Sequence, residues 1–316
     1  MQIGVSTTSF AEYDEEPLRL LRAAGLEIRR NSAGRALTED EAVEFLHGCV
    51  GLIAGTEPLS AKVMEANPQL AAISRCGTGL DNVDLEAAKK RGLIVKNTPD
   101  APTAAVAELT LGLALNLARR VCQMDREVRA GRWKKRMGGL ISGKRSGIVG
   151  FGRIGRKVAG YFSALGCEVV FYDPFVLAAE NFRRVELDDL LASSDIVTLH
   201  CPPRPDGRPV LGEAELGAMK AGALLINAAR GGAADEQALC ACLRSGALGG
   251  AALDVFSREP YPADGELASF PNVILTPHIG AYAVETRVDM EIESARNLLL
   301  ALGHQGTKDE RRCCGL

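Results

Sequence analysis

Lys144-Arg145-Ser146-Gly147-Ile148-Val149-Gly150-Phe151-Gly152-Arg153-Ile154-Gly155-Arg156-Lys157-Val158-Ala159 reads as a buried strand, a glycine turn and the start of a helix. Gly150, Gly152 and Gly155 keep the G-x-G-x-x-G spacing. The first permits a tight turn, the second lets the backbone approach a diphosphate with no Cβ in the way, and the third lets helix and strand pack closely. The amides around Arg153 and Ile154, at the positive end of the helix dipole, then suit an anion. Glycines also punctuate ordinary loops, so the surrounding pattern carries the inference. The apolar run Cys167-Glu168-Val169-Val170-Phe171-Tyr172 ends in Asp173, 18 residues beyond Gly155. A carboxylate at that spacing accepts a hydrogen bond from an adenosine 2′-hydroxyl and repels a 2′-phosphate, which favours NAD over NADP as cofactor. The competing reading makes Asp173 only the start of an Asp-Pro turn with Pro174.

The 316 residues allow about two domains with their own cores. Hydrophobic content of 47% and charge of 24% are those of a water-soluble globular chain. The net charge of −3 gives no reason to expect nucleic acid or an anionic membrane as partner. Nine scattered cysteines, odd in number and without a C-x-x-C pair, read as reduced thiols. Met1-Gln2-Ile3-Gly4-Val5-Ser6 lacks a signal-peptide pattern and no apolar run approaches a bilayer span, so a cytoplasmic location is expected. No metal site is expected.

Working outward, residues 3–5, 51–54 and 70–74 read as strands and 17–24, 39–48 and 60–67 as helices, a small parallel α/β unit. It ends in Arg75-Cys76-Gly77-Thr78-Gly79-Leu80-Asp81-Asn82-Val83-Asp84, a loop at the carboxyl end of a strand, where open α/β sheets bind ligands. Amides of Cys76, Gly77 and Thr78 are expected to form an anion nest for a substrate carboxylate; a tight connection without a ligand is the alternative. Asn97-Thr98-Pro99-Asp100-Ala101-Pro102 is a breaker cluster and a candidate domain crossing. Residues 103–120 form a helix apolar around most of its circumference, expected to be buried. A basic segment, Gly131-Arg132-Trp133-Lys134-Lys135-Arg136, is either a solvated loop or an anion-binding arm. Behind the glycine turn, strands at 195–200, 224–227 and 251–255 alternate with helices at 187–192, 213–219 and 235–245. A last helix, 284–302, is expected to return to the first domain, and 303–316 to fray. The fold class is α/β: two doubly wound, Rossmann-like parallel-sheet domains with the active site in the cleft between them. Residues 1–98 plus 285–316 are expected to form a flavodoxin-like substrate domain and 99–284 the NAD-binding domain.

Three residues near strand ends match the needs of hydride chemistry on a 2-oxo acid. Arg230, in Asn227-Ala228-Ala229-Arg230-Gly231, offers a permanently charged fork to a carboxylate and its neighbouring carbonyl. His278, in Thr276-Pro277-His278-Ile279-Gly280, can exchange the carbinol proton near neutral pH. Glu259, in Leu253-Asp254-Val255-Phe256-Ser257-Arg258-Glu259-Pro260, would orient that imidazole and favour its protonated form. Taken singly, Arg230 and Glu259 read better as surface ion-pair members and His278 as a loop histidine; together, on a chain with a dinucleotide turn, they point to the chemistry.

Five motifs in this order, the glycine turn, Asp173 and the three stretches around Arg230, Glu259 and His278, resemble the D-isomer-specific 2-hydroxyacid dehydrogenases over roughly residues 50–300. Arg75–Asp84 and Gly131-Arg132-Trp133 look most like the D-3-phosphoglycerate dehydrogenases, in a short form without a regulatory domain. The resemblance implies Arg230, Glu259 and His278 as the catalytic set. It implies substrate binding by Arg75, Cys76, Gly77, Arg230 and His278. Cofactor contacts follow at Asp254 near the nicotinamide carboxamide and at His200, Cys201 and Pro202 near the adenosine, with Ala228, His278 and Gly280 also at the NAD site. A homodimer through the NAD-binding domains is implied as well. Tyr282 and Arg204-Pro205-Asp206-Gly207-Arg208 depart from the common pattern. The first candidate pair is D-3-phosphoglycerate and 3-phosphohydroxypyruvate. The alternatives are reduction of glyoxylate or hydroxypyruvate, a phosphite-type dehydrogenase, and a non-catalytic NAD-sensing scaffold like the C-terminal-binding-protein corepressors. Formate dehydrogenases are less similar, because they place glutamine where Glu259 stands.

Overall fold

The computed structural model describes residues 1–202, 204 and 206–304. The expected frayed end beyond His304, with Cys313 and Cys314, lies outside the described residues, as does Pro205 of the departing loop. The chain forms two compact units, Met1–Pro102 together with the residues from Tyr282 onward, and Thr103–Ala281.

The first unit holds five parallel strands, β1 (Gln2–Val5), β2 (Glu27–Arg30), β3 (Cys49–Ala54), β4 (Ala72–Arg75) and β5 (Ile94–Asn97). Their order is β2-β1-β3-β4-β5, so the chain changes direction across the sheet between β1 and β3. The inner strands are nearly continuous apolar runs, as a sheet covered on both faces requires. Ile3, Val5, Leu52, Ile53 and Ile73 are almost fully buried, each contributing about 1.5 to 3 kcal/mol by leaving water. Helix Glu39–Phe45 starts in a capping box, Thr38 with Glu41. Helix Val284–Ala301 packs on β3, β4 and β5, and so belongs to the first unit although it comes last in the chain.

The second unit holds seven parallel strands: β6 (Arg145–Val149), β7 (Glu168–Tyr172), β8 (Arg183–Arg184), β9 (Ile196–Leu199), β10 (Leu224–Asn227), β11 (Gly250–Leu253) and β12 (Val273–Leu275). The order β12-β11-β10-β9-β6-β7-β8 puts its reversal between β6 and β9, the doubly wound arrangement that opens a crevice at the carboxyl ends of those two strands. Helix Thr103–Arg119 is less enclosed than its composition suggests. Ala105, Val106, Ala107, Leu113, Ala114 and Leu117 form one buried face against helix Arg153–Ala164 and the sheet, while Leu115 is exposed and Leu109 and Leu111 are half-buried. Among the described residues no helix is long and apolar enough to cross a membrane.

Candidate active site

The glycine turn lies at the carboxyl end of β6, at the reversal of the second sheet. Gly150 sits at φ +93°, and a Cβ there would lie 2.6 Å from the carbonyl carbon of His200, which follows β9. A Cβ on Gly155 would collide with the Gly150 carbonyl oxygen. Nothing lies within 4 Å of the corresponding point on Gly152. Gly152 is the N-cap of helix Arg153–Ala164 and supplies no side-chain acceptor to its first amides. Open space and uncapped amides at the end of a helix dipole fit the diphosphate of NAD.

Asp173 follows β7 and is buried. Its Oδ2 accepts the Phe151 amide of the glycine turn at 2.7 Å, and its Oδ1 accepts the amides of Phe175 and Val176 at 2.8 and 3.1 Å. The turn and the loop after β7 are therefore tied through one carboxylate. Burial raises its pKa, but the three amides and Arg156 outweigh this and hold it below the ordinary aspartate value. Asp173, the acceptor expected beside the ribose, thus has a structural task that the spacing does not reveal.

His200 and Cys201 close the far side of the crevice. Burial drives His200 down to about 3, so its imidazole is neutral, with Nε2 3.1 Å from Thr198 Oγ1. Burial lifts the Cys201 thiol to about 11, so it stays protonated. Pro202 follows, exposed.

The loops after β10, β11 and β12 carry the three candidate catalytic residues, Arg230, Glu259 and His278. Asn227 fixes the first: its Nδ2 donates to the Arg230 carbonyl at 3.0 Å and its Oδ1 accepts the Ala229 amide at 3.1 Å, with Ala228 buried between them. Arg230 Nη1 donates to the Ala229 carbonyl at 2.7 Å. A Cβ on Gly231 would strike the Phe256 carbonyl oxygen, so this glycine brings the Arg230 loop against the turn that leads to Glu259. Glu259 accepts the Phe256 amide on Oε1 at 3.0 Å and holds His278 Nδ1 on Oε2 at 2.8 Å. That bond leaves Nε2 of the half-exposed imidazole to face a ligand.

Asp254 is the hidden support of this arrangement. It is 1% exposed, and its carboxylate accepts the Thr276 hydroxyl (2.6 Å) and the Ile279 and Gly280 amides (both 2.8 Å). Its carbonyl accepts the His278 amide at 2.9 Å. These bonds hold His278 at φ +54°, a region that non-glycine residues seldom occupy. Burial raises the Asp254 pKa, opposed by Thr276, the two amides and His278. Asn227, Gly231 and Thr276 were not singled out from sequence; each lies inside a quoted motif, Asn227 bonding within its own loop and Gly231 and Thr276 depending on a partner from another loop.

In the first unit the expected anion nest requires correction. The Cys76 amide donates to Ala54 O at 3.0 Å, continuing the β3–β4 ladder, and the Gly77 amide donates to Arg75 O (3.0 Å) and Thr98 Oγ1 (2.8 Å). Both are committed to the fold, whereas the Thr78 amide makes no such bond among the described residues. Arg75 Nη1 donates to the Cys76 carbonyl, and its guanidinium fills the place where a Gly77 Cβ would stand. The Cys76 thiol is buried, and burial raises its pKa. Arg75, Cys76 and Gly77 thus form one self-bonded loop.

Residues 111–280 match the family model described as the D-isomer specific 2-hydroxyacid dehydrogenase, NAD binding domain. The chain is 39% identical over 276 residues to the D-3-phosphoglycerate dehydrogenase of Rattus norvegicus, across 85% of this chain and 51% of that protein. It is 40% identical over 258 residues to the glyoxylate reductase of Thermofilum pendens, across 78% and 76%. The crystal structure of the TT0316 protein from Thermus thermophilus superimposes with a TM-score of 0.89 at 38% identity, covering 96% of this chain and 97% of that one. The chain spans about half the length of the phosphoglycerate dehydrogenases it matches. It belongs to the D-isomer specific 2-hydroxyacid dehydrogenase family, and residues 111–280 are its NAD-binding domain.

Proposed function

We propose that this chain is an NAD-dependent oxidoreductase acting on a D-2-hydroxy acid and the matching 2-oxo acid. The observation that carries the reading is the Glu259–His278 bond at 2.8 Å on a turn locked by Asp254, in the same unit as the glycine turn. Bound NAD supplies the hydride acceptor. Gly150, Gly152, Arg153, Ile154, Gly155 and Asp173 hold its diphosphate and ribose, with His200, Cys201, Pro202, Ala228, Asp254 and Gly280 along its length. Arg230 grips the substrate carboxylate and the oxygen on C2. His278 Nε2 takes the hydroxyl proton as the hydride leaves C2, and returns it in the reverse direction. Glu259 keeps the ring oriented and stabilises the imidazolium while it carries that proton.

Residues 1–98 with 285–316 act as the substrate-binding part and 99–284 as the NAD-binding part. Arg75 and the loop of Cys76 and Gly77 border the substrate, the loop contributing shape and the Thr78 amide. A homodimer through the NAD-binding part is supported by a run of exposed apolar side chains, Trp133, Met137 and Leu140. A cytoplasmic location agrees with the absence of disulfides among the described cysteines.

The names of the relatives point to two kinds of acid. D-3-phosphoglycerate is the first substrate to assay and glyoxylate the second. A panel of D-2-hydroxy and 2-oxo acids with NAD or NADH tests the reading by appearance or loss of NADH. Turnover of any of them supports it, and tight NAD binding without turnover would instead indicate an NAD-sensing scaffold.

A further inference from the structure

Helix Glu236–Ser245 follows the Arg230 loop and carries an acidic side chain that its own first turn does not use. Asp235 is the N-cap, and its Oδ1 accepts the Gln237 and Ala238 amides at 2.9 and 3.0 Å. With that end satisfied, Glu236 reaches another loop instead. Its Oε1 accepts both the amide and the hydroxyl of Ser257, at 2.7 and 2.6 Å. Ser257 lies in the turn between β11 and Glu259, and residues 257–260 of that turn are exposed. An exposed turn with little packing depends on such bonds for its shape.

The contacts converge on one peptide group. The Phe256 amide donates to Glu259 Oε1 at 3.0 Å, and the Phe256 side chain is buried against Tyr261, with ring centroids 4.7 Å apart. The Phe256 carbonyl oxygen lies where a Gly231 Cβ would stand. The Ser257 amide, at the other end of the same peptide, is the one that Glu236 holds. The turn that aims Glu259 at His278 is therefore braced twice from the Arg230 side, by Gly231 and by Glu236. The contact at Gly231 only excludes bulk, whereas hydrogen bonds to a carboxylate are strong and directional.

We propose that Glu236 is a positioning residue for the proton transfer: through Ser257 it holds the turn that keeps Glu259 on His278 Nδ1. The inference rests on the dehydrogenase reading and adds a residue to it. Without Glu236 the Ser257 amide turns to water, the exposed turn takes up other conformations, and Glu259 leaves the imidazole for part of the time. Nε2 then meets the substrate in the productive direction less often, which lowers kcat and leaves binding alone.

The test is steady-state reduction, with NADH, of whichever of glyoxylate, hydroxypyruvate and 3-phosphohydroxypyruvate the wild type turns over fastest. Glu236→Ala is expected to lower kcat by about tenfold, while KM for the acid and NAD affinity by calorimetry stay within about twofold. Glu236→Gln keeps an acceptor for Ser257 and should recover most of that loss. Ser257→Ala keeps the amide bond and loses only the hydroxyl, so a loss of about threefold is expected. In a Glu259→Ala background neither change should lower kcat further by more than about twofold, because no carboxylate is left to place. Equal losses in both backgrounds overturn the inference, as does a loss confined to KM or NAD affinity, or a Glu236→Gln variant as slow as Glu236→Ala. Should Glu236→Ala fail to fold, Ser257→Ala, at an exposed position, decides by the same comparison of backgrounds. A wild type that turns over none of the three acids removes the dehydrogenase reading and the inference together. Wild-type turnover with an unmoved kcat in folded Glu236→Ala removes the inference alone.

Discussion

Two glycine-containing loops at strand ends use their amides in opposite ways. After β6, Gly152 leaves the first amides of helix Arg153–Ala164 without a side-chain cap, and Asp173 pins the turn from behind. After β4, the Cys76 and Gly77 amides are already bonded within their unit, and the next helix, Leu85–Lys90, is capped by the Asp84 carboxylate on the Ala87 amide. Glycine spacing looks similar in both stretches. The difference is whether a helix begins at the glycines with its dipole open, or begins later with its own carboxylate in place. On the proposed function, the second unit therefore offers the anion site and the reactive side chains, while the loop in the first shapes and positions.

If this contrast is right, changes in the second unit should weigh most. His278→Ala should reduce kcat by about 100- to 10,000-fold, the usual contribution of a general acid–base group, while NAD affinity measured by calorimetry stays within a few-fold. Near-normal turnover would remove His278 from the mechanism and break the contrast at its strongest point.

Asp173→Ala comes next. It deprives three amides of their acceptor, and losing charged hydrogen bonds of this kind costs about 1.5 to 3 kcal/mol. A lower melting temperature and a reduced NAD-over-NADP ratio in kcat/KM are both expected. A fall in stability with an unchanged ratio would mean that the carboxylate serves the turn alone.

Much of this was legible in the chain, and the exceptions share a cause. Every inner strand of both sheets coincides with an apolar run read from sequence, whereas β2, β5, β8 and β12 were missed, and each lies at a sheet edge. Edge strands carry charge and can be very short: β2 is Glu-Ile-Arg-Arg and β8 only two arginines. Such composition protects an open edge from pairing with other chains and erases the apolar signal. The site divides in the same way. The Glu259–His278 pair that the structure brings together could be anticipated because its chemistry lies in its side chains. The commitment of the Cys76 and Gly77 amides could not, because their acceptors, Ala54 and Thr98, are brought near only by the assembled sheet.

A pair of alanine substitutions sharpens the contrast further. Gly152 has φ −74° and open space around it, so Gly152→Ala should leave the melting temperature nearly unchanged while weakening NAD binding, because the added methyl stands where the diphosphate approaches. Gly77 has φ +149° and the Arg75 guanidinium beside it, so Gly77→Ala should destabilise the fold by about 1 to 3 kcal/mol with little effect on NAD affinity. Equal effects of the two on NAD binding would erase the distinction between the loops.

The smallest effect is expected from Arg75→Ala. A cation placed to grip a phosphate would cost a phosphorylated substrate far more than an unphosphorylated one when removed. Arg75 instead donates to the Cys76 carbonyl and lies over Gly77. Its removal should loosen the loop, at a cost of about 1 kcal/mol for an ordinary hydrogen bond, or roughly fivefold in kcat/KM. That loss should be similar for hydroxypyruvate and 3-phosphohydroxypyruvate. A loss tenfold greater for the phosphorylated acid would make Arg75 a phosphate ligand and turn the first unit's loop into an anion site after all. The Cys76 and Gly77 amide bonds would then belong only to the ligand-free loop, which would have to open to admit its substrate.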